Sequence, residues 1–161
     1  MNDELLSDLA LTMTEHGFVR VDGIASIPDA LLLLKRQTWN TNRAIVVVSP
    51  DEPPADFRAY LRQLRKRVAF KCGFFPLVWG IGIQVVIIGP GLAQRGIDPA
   101  RHVARFDNQW AIIQNLFLAD PAAGTCQAAR TWGQYITGKF QDAISEVLSG
   151  YFQLAPNERH T

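Results

Sequence analysis

The stretch Phe74–Leu92, FFPLVWGIGIQVVIIGPGL, constrains the fold more than any other part of the chain. It carries no charge, and within it Ile81, Ile83, Val85 and Ile87 recur at period two. These β-branched side chains suit a pleated, tightly packed surface. The alternate positions Gly80, Gly82, Gln84, Val86 and Ile88 are mostly small or apolar, so both faces are expected to be covered, as in a central strand of an α/β sheet. Arg43–Ser49, a short apolar run bounded by turn residues, is expected to lie beside it.

A bilayer-spanning segment is the competing reading, because Cys72–Gln94 is uncharged throughout and about 20 apolar residues suffice to cross a membrane. Gln84, Pro76, the Gly89-Pro90-Gly91 end and the period-two isoleucines favour the buried strand. Membrane association is therefore disfavoured. The acidic start, MNDELLSDLA, lacks the basic region and cleavage site of a secretory signal, which points to the cytoplasm.

The remaining elements follow from periodicity and punctuation. Asn2–His16 is expected to be a helix, with Leu5, Leu6, Leu9 and Met13 at helical spacing, and Phe18–Asp22 a short edge strand. Ser26-Ile27-Pro28-Asp29 has the form of a capping box, predicting a helix through about Trp39 whose Leu31–Leu34 run faces other elements or a partner chain. The proline-rich loop 50–54 leads into an amphipathic helix from about Ala55 to Lys71. Asp98-Pro99 predicts a short helical turn near Ala100–Val103.

Phe106–Asp120 fits a strand, expected antiparallel to Val78–Ile88, and Cys126–Phe152 a long helix bearing Trp132, Ile136, Phe140, Ala143, Val147 and Tyr151, with Gly133 on that same face. The chain of 161 residues thus reads as one α/β domain over 1–152, with a mixed, mainly parallel β-sheet and helices on both faces. Residues 153–161 form a frayed tail.

No catalytic motif is complete. Gly89-Pro90-Gly91 reads as a strand-ending turn, since Pro90 removes a donor and no helix start follows. His102, Arg101, Arg105 and Asp107, with Arg95, form the best enzymatic patch, mixing a titratable base with cations; a small hydrolase or transferase acting on an anionic substrate near Gly89–Asp107 is the alternative function. Such loop charges are commonly just solvated. Cys72 and Cys126 read as core thiols in a reducing compartment, no ligand spacing suggests a metal, and no cofactor is expected.

Charge is the clearest functional signal. Net charge is only +1, yet Met1–Asp56 is rich in acids while Phe57–Ile97 contains none. Arg58, Arg62, Arg65 and Lys66 lie on the polar face of the amphipathic helix without a local acid to offset their repulsion. They are the expected partner-binding residues, facing an acidic protein or nucleic acid. The preferred reading is a non-catalytic interaction module, homo-oligomeric through its apolar helix surfaces.

Overall fold

In a computed structural model, residues 2–38, 42–73, 80–103, 111–130 and 134–155 are described. Their order is α1 (Asn2–Glu15), β1 (Val19–Arg20), β2 (Ala30–Gln37), β3 (Asn42–Val48), α2 (Phe57–Lys71), β4 (Ile81–Ile88), β5 (Ala111–Asp120), β6 (Thr125–Arg130), α3 (Gln134–Ser149) and β7 (Gln153–Leu154). The strands form one sheet of seven in sequence order, from β1 to β7. β4 is its middle strand, and all of its residues are buried.

The sheet is mixed, and parallel pairs do not predominate. The pairs β3–β4, β4–β5 and β6–β7 are parallel, while β1–β2, β2–β3 and β5–β6 are antiparallel. Arg43–Ser49 does lie beside Ile81–Ile88, with Val46 opposite Val85.

Successive strand residues point to opposite faces, and the core divides accordingly. Leu33, Ala44, Val46, Ile83, Val85, Ile87, Leu116 and Leu118 pack with Phe57, Leu61, Leu64 and Val68 of α2. Leu32, Leu34, Ile45, Val47, Val86, Ile88 and Phe117 pack instead with Leu5, Leu9 and Met13 of α1 and Phe140, Ile144 and Leu148 of α3. Every residue of Val46–Val48 and Val85–Ile87 is fully buried, which is why both runs are almost unbroken β-branched residues.

Four expectations are corrected. The first is the helix from Ser26, where the chain instead makes a 3-10 turn at Ile24–Ser26 and then strand β2. Asp29 takes a left-handed conformation, φ 59°, so the apparent capping box is a turn that starts a strand. Leu31–Leu34 is apolar throughout because Leu33 enters one core and Leu32 and Leu34 the other; tertiary burial overrides leucine's helix preference.

The second is the direction of β5, which pairs with β4 in parallel, so the connection between them is a crossover; positions 106–110 of the expected strand lie outside the described residues. The third is the long helix from Cys126. Residues Thr125–Arg130 are strand β6, folded onto β5 by a tight turn at 121–124, and α3 begins only at Gln134. Trp132 and Gly133, and the side chain of Ile136, lie outside the described residues. The fourth is the tail: Gln153–Leu154 forms β7 beside β6, and the amide of Gln153 donates to the carbonyl of Gly124 at 2.8 Å.

Candidate functional site

Helix α2 is built to show a basic face. Asp56 caps it by accepting from the amide of Ala59 at 2.9 Å, and Phe57, Leu61, Leu64 and Val68 bury its inner side. At 100° per residue, Arg62, Lys66 and Phe70 then fall along the centre of the outer side, flanked by Arg58 and Arg67. All five are exposed, and Phe70 is 87% exposed. Arg65 is half-buried at the edge of this face.

Among the described residues, Arg62, Arg65 and Lys66 have no ion pair; Arg67 donates to the carbonyl of Ser26 at 3.3 Å, and Arg58 is engaged. Nearby Asp29 accepts from the hydroxyl of Tyr60 at 3.2 Å, which together with burial raises the phenol's pKa. The acidic helix α1 belongs to the other core cluster. Its outer side carries exposed Glu4, Asp8 and Glu15 around Leu11, which is 67% exposed. Asp8 accepts from the hydroxyl of Tyr151 at 2.6 Å.

The crossover patch is less suited to chemistry. Asp98 caps the turn Pro99–Arg101 by accepting from Ala100, and pairs with Arg101 at 3.4 Å. His102 stacks edge-on against Phe57, with ring centroids 4.9 Å apart. Burial lowers its pKa, Asp98 opposes that shift, and Arg58 and Arg101 reinforce it. Arg105 and Asp107 lie outside the described residues. Arg95 donates to the carbonyl of Pro54 at 3.4 Å.

A pH effect follows. Because the folded pKa of His102 lies below the unfolded value of about 6.5, its contribution is complete above that pH and is lost as the unfolded chain protonates below it. The urea midpoint is expected to fall between about pH 7 and pH 5, and His102→Phe should flatten that slope.

The Gly89-Pro90-Gly91 turn is held from below by Asp120 at the end of β5. The buried carboxylate accepts from the amides of Ala93 at 3.0 Å, Ala122 at 3.0 Å and Ala123 at 3.2 Å. Burial would raise its pKa, but these amides and that of Gly91 outweigh burial and hold it below the usual carboxylate range. The amides a phosphate could use are thus already occupied by the chain. Both cysteines are buried thiols, pushed up to about 11 at Cys72 and about 12 at Cys126, chiefly by burial. Among the described residues, no group of histidine, cysteine and acid could hold a metal.

Sequence reasoning missed a polar group on the α3 side of the sheet. Gln84, Asn115 and Gln141 are buried there or on the covering helix, and side-chain atoms of each, with Oε1 of Gln114, have no hydrogen-bond partner. Arg36 and Arg43, cross-strand neighbours, both sit over the ring of Phe140, with Cζ 5.5 Å and 4.7 Å from its centroid. Burial, and then the charge of Arg36, lower the pKa of Arg43. The only hint in the sequence was Gln84 inside an otherwise apolar strand. No family model, curated protein or solved structure matches this chain, so its function is read from its own residues.

Proposed function

We propose that the protein is a non-catalytic, cytoplasmic interaction module, helices covering both sheet faces, that assembles with copies of itself. The basic face of α2 on one copy meets the acidic face of α1 on another. The observation that carries this reading is the pairing of opposite charge with exposed apolar surface: Lys66 and Arg67 adjoin Phe70, with Arg62 and Arg58 farther along the same helix, and Asp8 and Glu15 adjoin Leu11, with Glu4 a turn beyond. Each helix is about 20 Å long, so the two faces match in extent. An exposed aromatic beside arginine and lysine is the composition of an interface anchor.

Because α1 and α2 belong to different core clusters, the contact is head-to-tail and each copy retains an unused face of each sign. The buried patch is small, so association is weak and depends on salt. The hydrolase or transferase alternative near Gly89–Asp107 draws less support, since Arg101 is paired with Asp98 and His102 is packed on Phe57. Among the described residues no helix is long and apolar enough to cross a membrane.

Light scattering after gel filtration tests the proposal. The protein is expected to self-associate at low salt and to dissociate in about 1 M salt, where screening acts within about 3 Å. Arg62→Glu with Lys66→Glu should be monomeric, as should Glu4→Lys with Glu15→Lys, and mixing the two variants should restore association. A wild-type monomer at low salt overturns self-pairing, as does association indifferent to these reversals. Binding of an acidic peptide or nucleic acid without self-association would reassign the face to that partner.

A further inference from the structure

Helix α1 packs on the sheet along one side and leaves a flank open. Leu5, Leu9 and Met13 are buried beneath it, and toward the end of α3 its Asp8 is held by the hydroxyl of Tyr151. On the opposite flank Asp3, Leu6, Ser7 and Ala10 recur at i, i+3, i+4 and i+7, which makes them a single stripe of the helix. That stripe, with Arg20 of β1 and Leu31 and Leu32 of β2, lines a cavity of about 280 Å³.

The sequence opens this groove in two ways. Ser7 and Ala10 are small, so the helix fills little of the space above the sheet. The pairing of β1 with β2 stops at Arg20 opposite Leu34, and Leu32 and Leu31 lie past its end. The register of β2 on β3 also shifts between Ala30 and Leu32. Leu31 is the extra residue of that bulge, and it lines the groove beside Leu32, where regular alternation would send it to the α2 face.

The groove carries one charge of each sign. Asp3 and Arg20 are both exposed, and among the described residues neither side chain has an ion pair or hydrogen bond. The hydroxyl of Ser7 is uncommitted as well, whereas Thr14 and Ser149 each donate to a helix carbonyl at 2.7 Å. Leu6, Ala10, Leu31 and Leu32 supply an aliphatic floor, beside which a charge interaction is stronger than in bulk water. A lone anion would meet Arg20 but be repelled by Asp3, and a lone cation the reverse. A neutral apolar molecule would use the floor and neither charge. The set of residues fits a zwitterion with an aliphatic body.

We propose that this groove binds a free α-amino acid with an aliphatic side chain. Its carboxylate is held by the guanidinium of Arg20, its ammonium by Asp3 with Ser7, and its side chain by the leucines and Ala10. A guanidinium takes a carboxylate through two parallel N–H donors, and a carboxylate accepts from an ammonium. A volume of about 280 Å³ falls just below the range of about 300–1,000 Å³ usual for drug-sized ligands, which suits an occupant as small as leucine. The face of α1 that bears Glu4, Asp8, Leu11 and Glu15 is turned about 120° around the helix from this stripe. The site therefore goes beyond the self-association proposed above and does not depend on it.

Calorimetric titration with leucine, leucinamide, N-acetylleucine, glycine and leucyl-leucine tests the assignment. Leucine is expected to bind saturably with a Kd of about 1 mM or below. Leucinamide lacks the carboxylate, N-acetylleucine the ammonium and glycine the side chain, so each should bind at least about tenfold more weakly. Arg20→Gln and Asp3→Asn alter exposed side chains that bond to nothing else, so both should keep their circular dichroism and Tm while losing about tenfold in affinity for leucine. Each loss should vanish with the matching analogue: Arg20→Gln should bind leucinamide as wild type does, and Asp3→Asn should bind N-acetylleucine as wild type does. Ser7→Leu removes no charge and should block binding by filling the groove. Arg62→Glu with Lys66→Glu leaves α1 intact and should bind leucine like wild type, which separates this site from self-association. No binding of leucine, or binding unchanged in Arg20→Gln and Asp3→Asn, overturns the proposal, and tighter binding of leucyl-leucine than of leucine overturns the assignment to a free amino acid.

Discussion

Replacing Asp120 with alanine is expected to lower the free energy of unfolding by about 3 kcal/mol, because three backbone amides lose a charged acceptor in a place water reaches poorly, at about 1 kcal/mol or more each. The carboxylate receives Ala93 from the crossover and Ala122 and Ala123 from the hairpin turn, so it ties the end of β5 to two separate connections. Its pKa is lowered in the fold. The sign of the linkage is then fixed: the stabilisation is complete above the unfolded value of about 3.9 and is lost as pH falls through the folded value. Urea titrations should show wild type losing stability steeply in acid below about pH 4, while Asp120→Ala, already weaker at neutral pH, should lose less over that range. Equal stability of the two proteins at pH 7 would refute this account of the turn.

Gln84→Met is expected to act in the opposite direction, raising the free energy of unfolding by about 2 kcal/mol. Gln84 sits on the middle strand with no exposed surface, and neither its oxygen nor its nitrogen has a partner. A buried polar group without a partner costs about 1–3 kcal/mol. Methionine keeps the unbranched shape and removes the polar atoms. The urea midpoint should rise with an unchanged denaturant slope. A destabilised variant would mean that the amide is bonded, by water or a ligand, in the protein as purified.

How much of this was readable in the chain depends on how local the determining force was. β3 and β4 were legible because their β-branched runs are themselves the response to burial on both faces, and α2 because its apolar stripe keeps strict helical spacing. β2 was not, because four consecutive leucines carry no period and only the tertiary setting decides between helix and strand. β6 was hidden for a related reason: Thr125–Arg130 has weak strand preference, and its conformation is imposed by pairing with β5 through the Asp120–Gly124 turn. The basic residues of α2 were legible from charge alone, but their relation to Phe70 required the exposed side of the helix to be known. The amide and arginine row was illegible in principle. It joins residues from β2, β3, β4 and β5, and Gln114 and Asn115 share a face only because the β4–β5 register slips by one residue there, which no local pattern announces.

The order of the strands bears on how the molecule is made. In many α/β sheets the chain starts in the middle and a later strand must enter beside earlier ones; here each new strand is added at the growing edge, next to the one synthesised before it. Nothing already paired has to open. As the chain leaves the ribosome, β2 and β3 can close as a hairpin before α2 exists, and β4, β5 and β6 then extend the edge in turn. At every stage the next segment meets the edge left by the one before it, while the opposite edge ends in the two-residue strand β1. Among the described residues the last strand added is the two-residue β7, so the edge it leaves is also one of the shortest, too short to template further pairing.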